Sequence, residues 1–547
     1  MKGFLILLVA SVVVALPFIF ERPQEAGEWK EGDPRLVIVT PHNEAIRHEF
    51  AKGFSDWHLR HFGTPVMIDW RMIGGTTEIM RYLNSEYRAS AERLVARERQ
   101  AGRTLTLDQA MDLDDPAAVS CGMDLFFGGG SYDHGRAGEQ RLTVPAWPEG
   151  EEPPGLFSDA RGRTLIPAEN GGEVWRGRTF YGCVLSTFGI CYNRDRLDDL
   201  GIGRPPATWR DLADPRYAGF LGLSDPTKSG SVAKAFEMMI HTVCAEYVAR
   251  AGFPKERVKA VEEAHRVEHR PFPEGYQEAV EAGWLEGLRL VRRIGANARY
   301  FTDSSGNVPV HVSAGVAAAG LAIDFYGRLQ SELSPKRGGC PVMTFVTPVG
   351  GSSVSADPIS LLRGAPSRRW ALRFIASVLG EEGQKLWNYR IGTPGGTDRF
   401  TLRRLPIRRD FYPSDDPDFK RRFESRRPHL SDPLWEPANN VYYLAESFHY
   451  EPRWTARHFG IQRDLIRAMC MDSGDELRAA WKAILSHGGP ERQPEAMRLL
   501  EAFPSAPIPL NWRTALQGYS EMSRLDRLRV WTSFFRKQYT AARKAVR

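Results

Sequence analysis

Cysteine is scarce in this sequence, and no arrangement of the six residues that occur (Cys121, Cys183, Cys191, Cys244, Cys340 and Cys470) follows CxxC or metal-finger spacing. A disulfide framework and a structural zinc site are therefore not readable, and free thiols are expected. Catalytic signatures are missing too. There is no GxSxG elbow, no HExxH and no GxGxxG with a downstream acid, which leaves the common hydrolase, metalloprotease and dinucleotide readings without support. The glycine-rich IGGTTE turn (73–78) has no following lysine in GxxxxGK[ST] spacing, so it is not a P-loop. An excess of one charge is also lacking: 73 basic residues are interspersed with 67 acidic ones for a net +6. That balance offers nothing toward nucleic-acid binding and leans only mildly toward anionic ligands. No internal repeat or low-complexity tract stands out.

One long hydrophobic run is present, and it lies at the N-terminus. Lys2 precedes an apolar stretch from Phe4 to Phe20, and Glu21 and Arg22 follow. This is an export segment, which puts the rest of the chain in the periplasm or another extracytoplasmic space. No A-x-A site and no lipid-accepting cysteine follow it, so residues 4–20 are read as an uncleaved membrane anchor, with an atypical signal peptide as the alternative. Elsewhere, 42% hydrophobic and 26% charged residues across 547 positions describe a folded chain of two to four domains.

From Arg35 the pattern alternates strand and helix. RLVIVT precedes a segment in which Ile46, Phe50, Phe54 and Trp57 recur at helical spacing, and VMIDW (66–70) precedes IGGTTE and a helix from about Thr77 to Tyr87. A charged helical stretch, AERLVARERQAGRTLTLDQAMDL, has no broad apolar face and reads as a solvated insertion. DLFF (124–127) then opens into Gly128, Gly129 and Gly130. Such alternation predicts a parallel, doubly wound sheet with its loops TPHNEA, IGGTTE and GGGSYD gathered where ligands bind. VPAWPEGEEPPGLFSDARG reads as a linker or crossing segment, and a second α/β body begins near Tyr181. After Thr401 the chain becomes Arg- and Pro-rich with isolated helices.

Several residues are placed to meet a ligand. SDPTKSGS (224–231) ahead of VAKAFEMMI sets Ser229 and Ser231 at a helix start, where free backbone N–H groups suit an oxygen-rich ligand; a plain N-cap turn explains the same residues. Thr76 and Thr77 in IGGTTE have the same physics. His42 follows the first strand, able to act as a ligand, a hydrogen-bond donor or a structural cap. Asp324, Phe325 and Tyr326 end an apolar strand.

Taken together, VTPHNEA (39–45), IGGTTEIMRYL (73–83), DLFFGGGSYD (124–133), PATWRDLADPRYAGFLGLSDPTKSGS (206–231), and GGSSVSADPISLLRGAP with FIASVLGEEGQKLW (350–387) resemble the bacterial extracellular solute-binding proteins of ABC importers, nearest the ferric-iron-binding branch. The resemblance covers about residues 35–400. It implies an α/β fold of two doubly wound lobes joined by a hinge, of the type II periplasmic-binding-protein kind, here with an appended helical C-terminal region. It divides the chain into a signal or anchor segment (1–25), lobe 1 (34–140 plus about 341–400), lobe 2 (141–340) and the C-terminal extension (401–547). It also implies closure of the lobes over ligand and docking on an inner-membrane permease, with no enzymatic activity and no cofactor. In the iron-binding branch a histidine, a carboxylate and two adjacent tyrosines hold ferric iron as transported ligand. His42 and Tyr326 match two of those positions, and Phe325 stands where the second tyrosine belongs. Asp324, Asp133, Tyr132 or a bound anion would have to complete the sphere. Relatives also resemble binders of phosphorylated sugars or phosphonates, for which Thr76, Thr77, Ser229 and Ser231 would be the clamps. Iron and an organic anion both stay open, with His42, Thr76, Thr77, Tyr132, Ser229, Ser231 and Tyr326 facing the cleft. The alternative role is an anchored sensor or scaffold whose C-terminal helices bind a protein partner.

Overall fold

The computed structural model describes residues 29–113, 115–348 and 350–547, so the expected anchor over 4–20 lies outside the described residues. Among those described, no helix is long and apolar enough to cross a membrane.

Strand β1 (Arg35–Val39) leads into helix α1 (Glu44–Phe62). Asn43 caps this helix by accepting from Ile46 N, and Gly63 ends it in the left-handed region. Its buried stripe includes Ile46, Phe50 and Phe54. Strand β2 (Met67–Arg71) and helix α2 (Thr76–Gln100) follow. Helix α2 runs unbroken into the first ten residues of the charged stretch read above as an insertion and ends at Gln100. It buries only one residue per turn, Ile79, Leu83, Tyr87, Ala91 and Leu94, a stripe too narrow to register as an apolar face. Strand β3 (Leu125–Phe127) and helix α3 (Ser131–Glu139) complete this part.

The chain then runs through β4 (Tyr181–Ser186) and β5 (Phe188–Asn193). Both are buried along their whole length, yet they belong to different sheets with Thr187 alone between them. Strand β6 (Leu221–Ser224), helices α4 (Gly230–Arg250) and α5 (Tyr276–Ala296), strands β7 (Ala298–Thr302) and β8 (Ala319–Ile323), helix α6 (Asp324–Leu333) and strand β9 (Met343–Val346) build the second body. The return is β10 (Ser355–Leu362), followed by α7 (Arg368–Leu379), α8 (Glu381–Asn388) and β11 (Leu405–Pro406). Helices α9 (Phe459–Arg467), α10 (Gly474–Ser486) and α11 (Arg524–Ala545) belong to the C-terminal region.

The first sheet has the order β11-β4-β10-β3-β1-β2 and the second β7-β6-β8-β5-β9. In the first, β1 pairs parallel with β2 and β3, as the strand–helix alternation predicts, whereas β10 pairs antiparallel with β3 and β4. The mixed half follows from topology: β10 re-enters from the second body instead of through a covering helix. The crossings lie at Thr187 and at 347–354, where Thr187 Oγ1 and Thr347 Oγ1 are 3.1 Å apart and Phe188 N donates to Ser352 Oγ at 2.9 Å.

These crossings shift the expected boundaries. The Pro-rich stretch after residue 144 is no linker between lobes: Ala146, Leu156, Phe157, Leu165, Ile166 and Trp175 pack in the first core. The segment after 400 divides as well. Leu402, Leu405, Ile407 and Phe411 join the first core, and Phe448, Trp454, Trp481 and Trp531 join the second.

Candidate ligand-binding site

The ends of β1, β3, β6, β7 and β8 open on one cavity of about 600 Å³ between the two sheets. Three long or mid-length helices start at it. Helices α2 and α3 begin after Gly75 and Gly130, neither with a side-chain cap, while the Ser229 hydroxyl accepts from Val232 N at the start of α4. Uncapped N–H groups and aligned peptide dipoles make this end of the cavity favourable for negative charge.

Glycine is required at two positions here. Gly128 (φ +90°) and Gly129 (φ +105°) adopt left-handed conformations, and a Cβ would come within 2.4 Å of the His42 ring and 2.2 Å of Thr76 Cγ2. Their bare backbone lets His42 and Thr76 stand side by side at the cavity wall.

Of the side chains expected to face a cleft, His42, Thr76, Tyr132, Ser229, Ser231 and Tyr326 line this cavity. Both His42 ring nitrogens are buried without a protein partner. The ring packs edge-on against Phe127 at 4.6 Å, and burial, then the Arg404 charge, hold its pKa well below the ordinary histidine value, so it is neutral. Ser229 and Ser231 hydroxyls are 3.2 Å apart, and Ser231 continues to Ser305 Oγ at 3.3 Å. The Tyr326 ring lies 4.1 Å from that of Phe325, and burial raises the phenol pKa, keeping its proton on. Asp133 also lines the cavity, and burial pushes its carboxyl up.

Two expected residues turn elsewhere. Thr77 accepts a hydrogen bond from Arg463 Nη2 at 2.9 Å, which commits its hydroxyl. Asp324 is buried at the strand crossing, where its carboxyl group accepts from Thr187 N at 3.1 Å and Phe325 N at 2.8 Å, and it does not line the cavity. Among the described residues no three His, Cys, Asp or Glu side chains converge as a metal site.

Sequence reading missed a fully buried arginine at the cavity. Arg404, in the irregular run before β11, is fully buried. Its Nη2 donates to Ser186 Oγ at 2.9 Å and pairs with Asp357. The guanidinium stacks 4.1 Å over the Phe325 ring, and its Nε and Nη1 are buried with no protein acceptor. No spacing rule flags a lone arginine after residue 400. Lys234 was missed as well. It contacts Glu173 at 2.9 Å and Glu237 at 3.0 Å; burial opposes its charge, but the two carboxylates outweigh that and raise its pKa. Tyr450, Pro452, Ala456 and Phe459 extend the wall from the C-terminal region.

Residues 175–420 match the family model described as bacterial extracellular solute-binding protein, a family of binding proteins and not of enzymes. An uncharacterized protein of Haemophilus influenzae is 27% identical over 212 residues, which cover 39% of this chain and 48% of that protein, so the match spans about half the relative's length. Among solved structures, the periplasmic binding protein AfuA from Actinobacillus pleuropneumoniae, with fructose-6-phosphate bound, is 17% identical with a TM-score of 0.42, over 73% of this chain and 98% of that one. Iron-bound HitA from Pseudomonas aeruginosa is 16% identical with a TM-score of 0.38, over 64% and 83%. Residues 175–420 are thus similar to the bacterial extracellular solute-binding proteins.

Proposed function

We propose that the chain is the extracytoplasmic receptor of an ABC importer and that its cargo is a small organic oxyanion, of the phosphate or phosphonate type, held between the two lobes. One observation carries the choice of cargo: two N–H-bearing nitrogens of the Arg404 guanidinium are buried at the cavity with no protein acceptor. Leaving such donors dry costs about 1–3 kcal/mol each, a penalty that an incoming oxyanion relieves. The uncapped starts of α2 and α3 and the Ser229–Ser231–Ser305 hydroxyl chain add donors to the same ligand. Phe180, Phe188, Phe325 and Tyr450 line the rest, a wall suited to a carbon body.

Ferric iron is not favoured by these residues. The guanidinium stacks on Phe325, where a second phenolate would be needed, and among the described residues no three His, Cys, Asp or Glu side chains converge to hold a metal. Asp324 is spent at the crossing. A free-standing scaffold arm is not favoured either, since residues 450–459 form part of the cavity wall.

Thermal unfolding of the purified chain against glucose 6-phosphate, phenylphosphonate, inorganic phosphate, ferric citrate and spermidine tests this. The melting point should rise with one of the organic oxyanions, and the rise should vanish in Arg404→Gln. A rise with ferric citrate alone would sink the reading.

A further inference from the structure

The segment after residue 447 supplies more than wall. Helix α9 lies on the second body, and Ile461, Leu465 and Ile466 pack in that core. Its polar side reaches the loop that carries Ser229 and Ser231. Arg463 Nε donates to Pro226 O at 2.7 Å and Nη2 to Thr227 O at 3.0 Å. One turn on, Arg467 Nη1 meets Asp225 Oδ2 at 2.8 Å. Asp225 is itself buried, and its other oxygen accepts from Thr227 N and Thr227 Oγ1, which fixes the turn. Three acceptors in consecutive residues are thus held by two arginines from the C-terminal region.

The same Arg463 also crosses the cleft. Its Nη2 donates to Thr77 Oγ1 in the first turn of α2, on the opposite lobe. Beside it, Phe459 packs on Tyr132 of α3 with ring centroids 4.9 Å apart. Arg463 is almost fully buried, and its fork shape suits three acceptors in a way that a lysine does not.

We propose that helix α9 is the brace and latch of the binding cleft: Arg463 and Arg467 position the 225–231 loop for ligand, and Arg463 holds the lobes closed through Thr77. Both arginines are positioning residues, since neither lines the cavity. The ligand-retention part rests on the receptor reading above. The C-terminal region is then a working part of the site, and cargo leaves only when the Arg463–Thr77 contact opens.

The test uses the full chain with glucose 6-phosphate as probe and follows its release by stopped-flow tryptophan fluorescence. Arg463→Ala should speed release about tenfold, and Thr77→Val, which removes one hydroxyl and leaves the loop brace intact, about threefold. The double variant should be no faster than Arg463→Ala, because both changes break one contact. Release from Arg463→Ala within twofold of the unaltered chain, or a double variant equal to the product of the singles, overturns the latch. If glucose 6-phosphate does not bind the unaltered chain, the chosen cargo fails separately. Small-angle scattering without ligand then reads the latch alone: Thr77→Val should widen the particle, and an unchanged radius of gyration overturns the proposal.

Discussion

Residues 401–447 and 448–547 look alike as sequence, both Arg-rich, both helical and both interrupted by proline, yet they join different bodies. The earlier part adds β11 to the edge of the first sheet and seats Leu402, Ile407, Phe411 and Phe423 in that core. The later part covers the outer faces of α4 and α5 with Trp454, Trp481, Trp531 and Phe535. The first body is therefore finished by a short edge strand and a set of ion pairs, Arg404–Asp357, Arg163–Asp416 and Arg426–Glu381 among them, whereas the second depends on a whole layer. Where a segment packs is decided by the apolar surface left uncovered by the body it meets, not by its own composition.

Cutting the chain after Ser447 should have the largest effect. It uncovers the second core and removes three buried tryptophans, a loss on the order of 10 kcal/mol, comparable to the whole stability of a domain. Limited proteolysis should leave a resistant fragment from the first body and none from the second. Cooperative melting of both bodies would break the comparison.

Within the earlier part, Arg404→Gln leaves the Asp357 carboxylate buried without its partner. A destabilisation of about 3 kcal/mol is expected in urea unfolding. A change under about 1 kcal/mol would mean that the pair is solvated.

Each body also holds a buried neutral histidine, His134 in the first and His458 in the second. Burial lowers both pKa values to about 4, from the ordinary histidine value of about 6.5. Between those values the unfolded chain binds more protons than the folded one. Stability is therefore full above pH 6.5 and falls as pH drops toward 4, by about 2 kcal/mol per histidine between pH 7 and pH 5. His134→Gln should flatten this slope for the first body's unfolding and His458→Gln for the second's. An unchanged slope in both would assign the acid sensitivity to other groups.

The smallest effect is expected at Arg292, which donates to Leu500 O and Ala502 O and is enclosed by Phe503, Phe535 and Tyr539. Arg292→Met leaves two carbonyls without their donor but also removes two buried guanidinium nitrogens that have no protein partner, so the net loss in urea unfolding should be about 1 kcal/mol. A loss as large as that of Arg404→Gln would show that the two parts are held by the same kind of contact after all.

Much of the site was legible because glycines, hydroxyls and a histidine follow strand ends, where short loops leave the chain little choice of position. His42, Thr76, Tyr132, Ser229, Ser231 and Tyr326 all came from such loops. Thr77 and Asp324 came from the same loops and turned away, since adjacent residues at a helix start point in different directions and only the partner across the cleft decides which is used. Helix α2 joins two stretches that the sequence reads as separate helical segments, because a charged helix that buries one residue per turn carries almost no periodic signal to link them.

By itself, the sequence determined the parallel strand–helix order of the first body, the backbone freedom at Gly128 and Gly129, the free thiols and the family likeness of its middle, all of which follow from local pattern. Only the tertiary structure decided the crossing at Thr187, the mixed half of the first sheet, and the union of Arg404, Lys234 and Arg463 with loops far away in the chain. Those contacts depend on which surfaces remain to be buried once both sheets have formed, and that quantity belongs to the folded molecule and to no window of its sequence.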